Sequence, residues 1–125
     1  MIISKDVKFG IKTLDDLAKL IDDPDVLLPY GLDSSYTITY IDFADYVLYK
    51  ESIIKLSDNS GESVVHIQIG KQWDVELDTV RMGDFDVNKY EYDDFHLAGF
   101  QYKGNSYLFK TYSDENLNRL IYSME

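Results

Sequence analysis

His66 and His96 are the only imidazoles in a chain of 125 residues that has no cysteine. Nucleophilic catalysis would need one of these two as its base, yet neither lies near a Gly-x-Ser-x-Gly elbow, which is absent. His66 stands inside VVHIQI, where strand alternation makes it a cross-strand surface histidine. His96 follows the acidic run YEYDDF, and a single imidazole beside aspartates is a weak catalytic signal. Phosphate-cradling glycine motifs do not occur. In DFDVNKYEYDDF, Asp84, Asp86 and Asn88 match the first three ligand positions of an EF-hand loop. The match fails where that geometry is strictest: Lys89 replaces the turn glycine and Phe95 the closing bidentate Glu. A solvated acidic loop is the expectation there, with a hard cation as the alternative, and no cofactor or metal ligand set is assigned.

Carboxylates are the one abundant reactive group. There are 23 Asp and Glu against 12 Lys and Arg, a formal net charge of −11. Residues 72–94 carry Asp74, Glu76, Asp78, Asp84, Asp86, Glu91, Asp93 and Asp94 against Arg81 and Lys89. Trp73, Val75 and Leu77 alternate with Asp74, Glu76 and Asp78, the pattern of a half-buried strand. Side chains two apart on a strand share a face at a spacing of about 6.6 Å, so these three carboxylates would form a row. Asp15, Asp16, Asp22, Asp23 and Asp25 make a second cluster. Paired carboxylates can hydrolyse glycosides, but only across a cleft that nothing in the sequence marks.

The elements that must position these groups follow from periodicity. Leu14, Leu17, Leu20 and Ile21 recur at helical spacing behind Thr13, an N-cap with Asp16 three residues on, and Pro24 stops the helix. DDPDVLLPYGLDSS reads as a loop and YTITYI as a strand. Phe43–Leu56 fits a helix by spacing, but YVLY and SIIKL favour strand, which we adopt. SIIKL and VVHIQI flank a turn of about five residues, and GFQYK and YLFKTY flank GNS as a second hairpin. Ser113 caps a last helix in which Leu117, Leu120, Ile121 and Met124 share a stripe. The expected fold is α+β, one domain over residues 1–125, an antiparallel sheet of about five to seven strands with one helix near each terminus.

Composition excludes several function classes. A hydrophobic fraction of 45% argues for a core rather than a disordered acidic tail. With two arginines and so acidic a balance, direct nucleic-acid binding is not expected. No apolar run approaches the roughly 18 residues of a membrane span, and no signal-peptide stretch opens the chain. A cytoplasmic setting is expected, and oligomeric state is not legible.

A row of carboxylates matches a string of phosphates in sign and scale, so a groove built for nucleic acid can accept it. Among the 11 tyrosines, Tyr30, Tyr90 and Tyr92 fall in expected loops, and Tyr suits interface anchors. In small size, absence of Cys, richness in Asp and Tyr and lack of motifs, the chain is similar to phage anti-defence proteins, including anti-CRISPR proteins and nucleic-acid mimics. That likeness is of general character and transfers no residues. The expected function is a non-catalytic inhibitor that blocks a basic nucleic-acid-handling protein such as a nuclease. Its expected contacts are Asp74, Glu76, Asp78, Asp84, Asp86, Glu91, Asp93 and Asp94, with Tyr90 and Tyr92 as packing anchors. An immunity protein against a cognate bacterial toxin is the first alternative, and a small carboxylate-dependent hydrolase the second.

Overall fold

A computed structural model describes residues 4–72 and 78–125, with side chains from residue 7 onward. The expected strand over residues 73–77, with Asp74 and Glu76, lies outside the described residues. The order is β1 (Ser4–Lys8), α1 (Leu14–Ile21), β2 (Thr37–Ile41), β3 (Phe43–Tyr46), β4 (Lys50–Asp58), β5 (Gly61–Ile69), β6 (Val80–Met82), β7 (Phe85–Glu91), β8 (His96–Tyr102), β9 (Asn105–Thr111) and α2 (Asp114–Tyr122). The fold is α+β, with all described strand pairs antiparallel.

Among the described residues the sheet has nine strands rather than five to seven, in the order β1-β3-β4-β5-β9-β8-β7-β6, with β2 also on β4. The excess comes from β1, which was not read as a strand, from a break that divides residues 43–56 into β3 and β4, and from the run 84–94. Asp42 bends one long extended segment into β2 and β3: its amide donates to Ile53 O at 3.1 Å. Its Oδ1 accepts from Ile53 N at 2.8 Å, and Ser52 Oγ donates to its carbonyl at 2.6 Å. β2 and β3 therefore pair with successive stretches of β4. The run 84–94 was expected to be an acidic loop, but most of it is β7, joined to β6 by a turn at Gly83 and Asp84.

Turn chemistry sets the remaining register. Lys103 and Gly104, both at positive φ, form the turn between β8 and β9, where GNS was expected to connect the hairpin. The β4–β5 connection is two residues instead of about five, because Asp58 Oδ1 accepts from the amides of Ser60 and Gly61 at 2.8 and 3.2 Å. Residues 43–56 are extended as adopted, interrupted at Val47, Leu48 and Tyr49.

Alternation then sorts the sheet into two faces. Ile54, Val65, Phe109 and Ala98 stand side by side across β4, β5, β9 and β8, and Ile67, Tyr107 and Phe100 form the next row. All are buried. Phe100 stacks on Phe85 at 4.1 Å and on Tyr107 at 4.9 Å between centroids. The same cluster takes in Leu17 and Ile21 of α1, Leu28 of the long loop, and Leu117, Leu120, Ile121 and Met124, so both helices cover this face. The caps are those read from the sequence: Thr13 Oγ1 accepts from Asp16 N and Ser113 Oγ from Asn116 N, each at 3.1 Å. On the other face, Ile53, His66 and Leu108 are half-buried.

Candidate functional site: the acidic end of the sheet

Antiparallel pairing brings the β4–β5 turn, the β7–β8 turn and the entry to α2 to one end of the sheet. Asp58 opposes Gly61, Val64 opposes Lys110, His96 opposes Thr111, and Glu91 opposes His96. Asp33, Asp58, Glu62, Glu91, Asp93, Asp94, Asp114 and Glu115 thus gather around Lys89, Lys110 and Arg119.

Three of these carboxylates are engaged. Arg119 donates to Asp33 Oδ2 and Ser35 Oγ, each at 2.7 Å, and stands 3.8 Å from Asp58 Oδ2. Its guanidinium lies 4.7 Å from the Tyr36 ring centroid. Lys89 Nζ donates to Asp114 Oδ1 at 3.0 Å and also reaches Asn118. Hydrogen bonds from Ser35 and then Arg119 hold the Asp33 carboxyl down at about 2. The Tyr112 hydroxyl, 2.6 Å from Asp58 Oδ2, is the largest cause that lowers Asp58. Desolvation pushes Tyr36 up to about 12, and its buried hydroxyl has no hydrogen-bond partner among the described residues. Asp33, Tyr36 and Arg119 line a cavity of about 390 Å³ between the loop and α2, with Glu115, Asn118 and Tyr122 on its helical wall. Gly31 closes the cavity at one side: its amide donates to Ser123 O at 2.9 Å, and a Cβ would come within 3.0 Å of that backbone.

The other five carboxylates, Glu62, Glu91, Asp93, Asp94 and Glu115, are exposed and form no ion pair among the described residues. Asp93 and Asp94 sit at the hairpin tip, closed by Tyr92 N donating to Phe95 O at 2.9 Å. Tyr92 is 51% exposed and stacks on Phe95 at 4.8 Å, while Lys110 Nζ sits 4.5 Å from the Phe95 centroid. Glu62 and Asp94 line one shallow cavity of about 230 Å³ with Phe95, Lys110 and Tyr112. Behind this surface, Ser63 Oγ and Thr111 Oγ1 are 2.8 Å apart, and Asn116 Nδ2 donates to both. This buried set ties α2 to β5 and β9.

The contact set expected from sequence is divided by the fold. Glu91, Tyr92, Asp93 and Asp94 stay together. Asp84 stands at the opposite end of β7, about 20 Å away at strand rise, where its amide donates to Glu125 Oε1 at 2.9 Å. Asp86 projects on the face opposite Glu91 and pairs with Arg81 at 3.3 Å. Tyr90 belongs to β7 rather than to a loop and is 41% exposed. Asp78 is exposed ahead of β6. Sequence reasoning missed Asp33, Asp58, Glu62, Asp114, Glu115 and Arg119. The available signal was that Arg119 is one of only two arginines in so acidic a chain.

The two histidines lie on different strands, His66 on β5 and His96 on β8. His66 Nε2 lies 2.9 Å from Glu51 Oε2 across the half-buried face. His96 lies between Glu91 and Thr111 in the sheet. No group of three or more His, Asp and Glu side chains among the described residues is arranged to hold a metal ion. No helix among them is long and apolar enough to cross a membrane. Comparison with protein-family models, with curated proteins and with solved structures finds no match.

Proposed function

We propose that this chain is a non-catalytic binding protein that blocks a basic nucleic-acid-handling protein, such as a nuclease, by occupying its nucleic-acid surface with the acidic end of the sheet. The observation that carries this reading is the set of five exposed carboxylates at this end of the sheet, without an ion pair among the described residues and drawn from three separate stretches of chain: Glu62, Glu91 with Asp93 and Asp94, and Glu115. Partner cations are drawn to that end by long-range attraction and packed by the aromatic tip. Rigidity supports the reading, because the side chains sit on tight turns and a capped helix rather than on a long loop. Neutralisation of a cognate nuclease toxin would use the same surface and differs only in the origin of the partner.

The test is affinity capture from the native host at low and moderate salt, followed by kinetics with Glu91→Lys/Asp93→Lys/Asp94→Lys. The captured protein is expected to be basic. The triple reversal should slow association by about tenfold or more at low salt, with the gap closing as salt rises. A partner whose association ignores both the reversal and the salt would overturn the proposal.

A further inference from the structure

The opposite end of the sheet breaks a rule of turn chemistry. Tight connections between strands favour Gly, Asn, Asp, Pro or Ser, which supply the needed backbone angles and face water. Between β3 and β4 the connection is Val47, Leu48 and Tyr49, with Val47 and Leu48 at its tip and none of the three at positive φ. They are 58% and 76% exposed, so folding buries little of either side chain and the core gains little from them. The turn is nevertheless well built. Tyr46 N donates to Tyr49 O at 2.9 Å, the two rings lie 5.0 Å apart, and Lys71 Nζ sits 4.6 Å from the Tyr49 ring centroid. A local rule broken on a rigid frame, with no return in stability, is the pattern of a contact surface.

The tip is also one wall of a cleft. A cavity of about 390 Å³ runs between it and the end of α1, lined on its apolar side by Ile21, Pro24, Tyr46, Val47, Leu48 and Ile69. Asp22, Asp23 and Asp45 line the same cavity against Lys50 alone. Its chemistry is therefore an apolar floor with an acidic rim. The complementary ligand carries a large apolar side chain for the floor and a cation for the rim; apolar surface supplies most of the affinity and the rim selects by charge. An acidic rim disfavours anionic lipid surfaces, and two aliphatic side chains are too small a patch for a stable dimer of this chain.

We propose that the cleft beneath the Val47–Leu48 tip binds a segment of a protein in which a large aliphatic or aromatic side chain adjoins lysine or arginine. This second site lies the length of β4, about 30 Å at strand rise, from the acidic end and does not depend on it.

A displayed library of random dodecapeptides, selected on the full-length chain, tests the assignment. Enriched peptides should combine Leu, Ile, Phe or Trp with Lys or Arg. They should bind Val47→Ser/Leu48→Asn at least about tenfold more weakly and Asp23→Asn/Asp45→Asn more weakly with less salt dependence. Their affinity for Glu91→Lys/Asp93→Lys/Asp94→Lys should be unchanged, which separates this site from the function proposed above. The Val47→Ser/Leu48→Asn chain should melt within about 2 °C of wild type, as expected for exposed positions. The proposal is overturned by a library with no enrichment or by peptides indifferent to the tip variant. Clear destabilisation of that variant would make the two side chains structural. Tip-dependent retention on phosphatidylcholine vesicles would assign the tip to lipid instead.

Discussion

The two ends of the sheet solve the problem of an exposed surface in opposite ways. At the acidic end, charge is displayed over a polar frame: Asn116 with Ser63 and Thr111, which is buried, and Arg119 between Asp33 and Asp58, which is partly exposed. At the other end, aliphatic side chains are displayed on a turn that polar residues would build as well. The first arrangement favours fast, salt-sensitive encounter, and the second favours slow release once water has been expelled. The comparison shows that net charge describes only one of the two surfaces this protein presents.

The largest expected effect is at Leu120, which is fully buried where α2 meets β9 and β8. Leu120→Ala should cost about 2–5 kcal/mol in chemical denaturation. Hydrogen exchange should quicken in α2, and with it the acidic end, more than at the β3–β4 turn. Equal loosening of both ends would break the comparison. A smaller effect is expected at Asn116, which is 2% exposed. Asn116→Ala removes the donor shared by Ser63 and Thr111 but leaves those hydroxyls paired with each other, so about 1–3 kcal/mol should be lost. A loss near zero would mean that apolar packing alone seats α2.

The third effect is a change in pH dependence. Asp33 is lowered from its ordinary value to about 2 by Ser35 and then Arg119, and Asp58 is lowered by Tyr112 first, with Arg119 contributing. A carboxyl held low in the folded state adds stability that is complete above its unfolded value, near 4, and is lost as pH falls toward 2. Arg119→Met should therefore flatten the stability curve between about pH 4 and pH 2 while leaving the Ser35 and Tyr112 shares in place. An unchanged acid limb in thermal melts would show that the arginine is a surface partner only.

Much of the fold was legible because it rests on local periodicity. Thr13 and Ser113 cap where the pattern put them, and the apolar stripe of α2 faces the core. VVHIQI alternates as a strand because every second side chain must enter the core. The strand count was under-read where no turn residue marks a break: residues 43–56, read as one strand, are interrupted at Val47, Leu48 and Tyr49 to give β3 and β4. The run 84–94 looked like a loop because its charges outweigh its alternation. Phe85 and Val87 nonetheless enter the core beside Phe100, which turns Asp86 to one face and Glu91 to the other.

The site was legible only in its contiguous part. Glu91, Tyr92, Asp93 and Asp94 are neighbours in sequence and remain neighbours on one hairpin, so a count of charges along the chain could find them. Glu62 joins them because β5 pairs with β9 and β9 with β8, a relation set by which apolar faces bury against each other and invisible to any local window. The sequence by itself determined the class of elements, their caps and the excess of negative charge, since these depend on residue type and short spacing. Tertiary structure alone decided which carboxylates share an end, which are neutralised by Arg119 and Lys89, and that Val47 and Leu48 stand in water. Those outcomes depend on long-range pairing, and the free energy of that pairing comes from core burial rather than from the surface residues themselves.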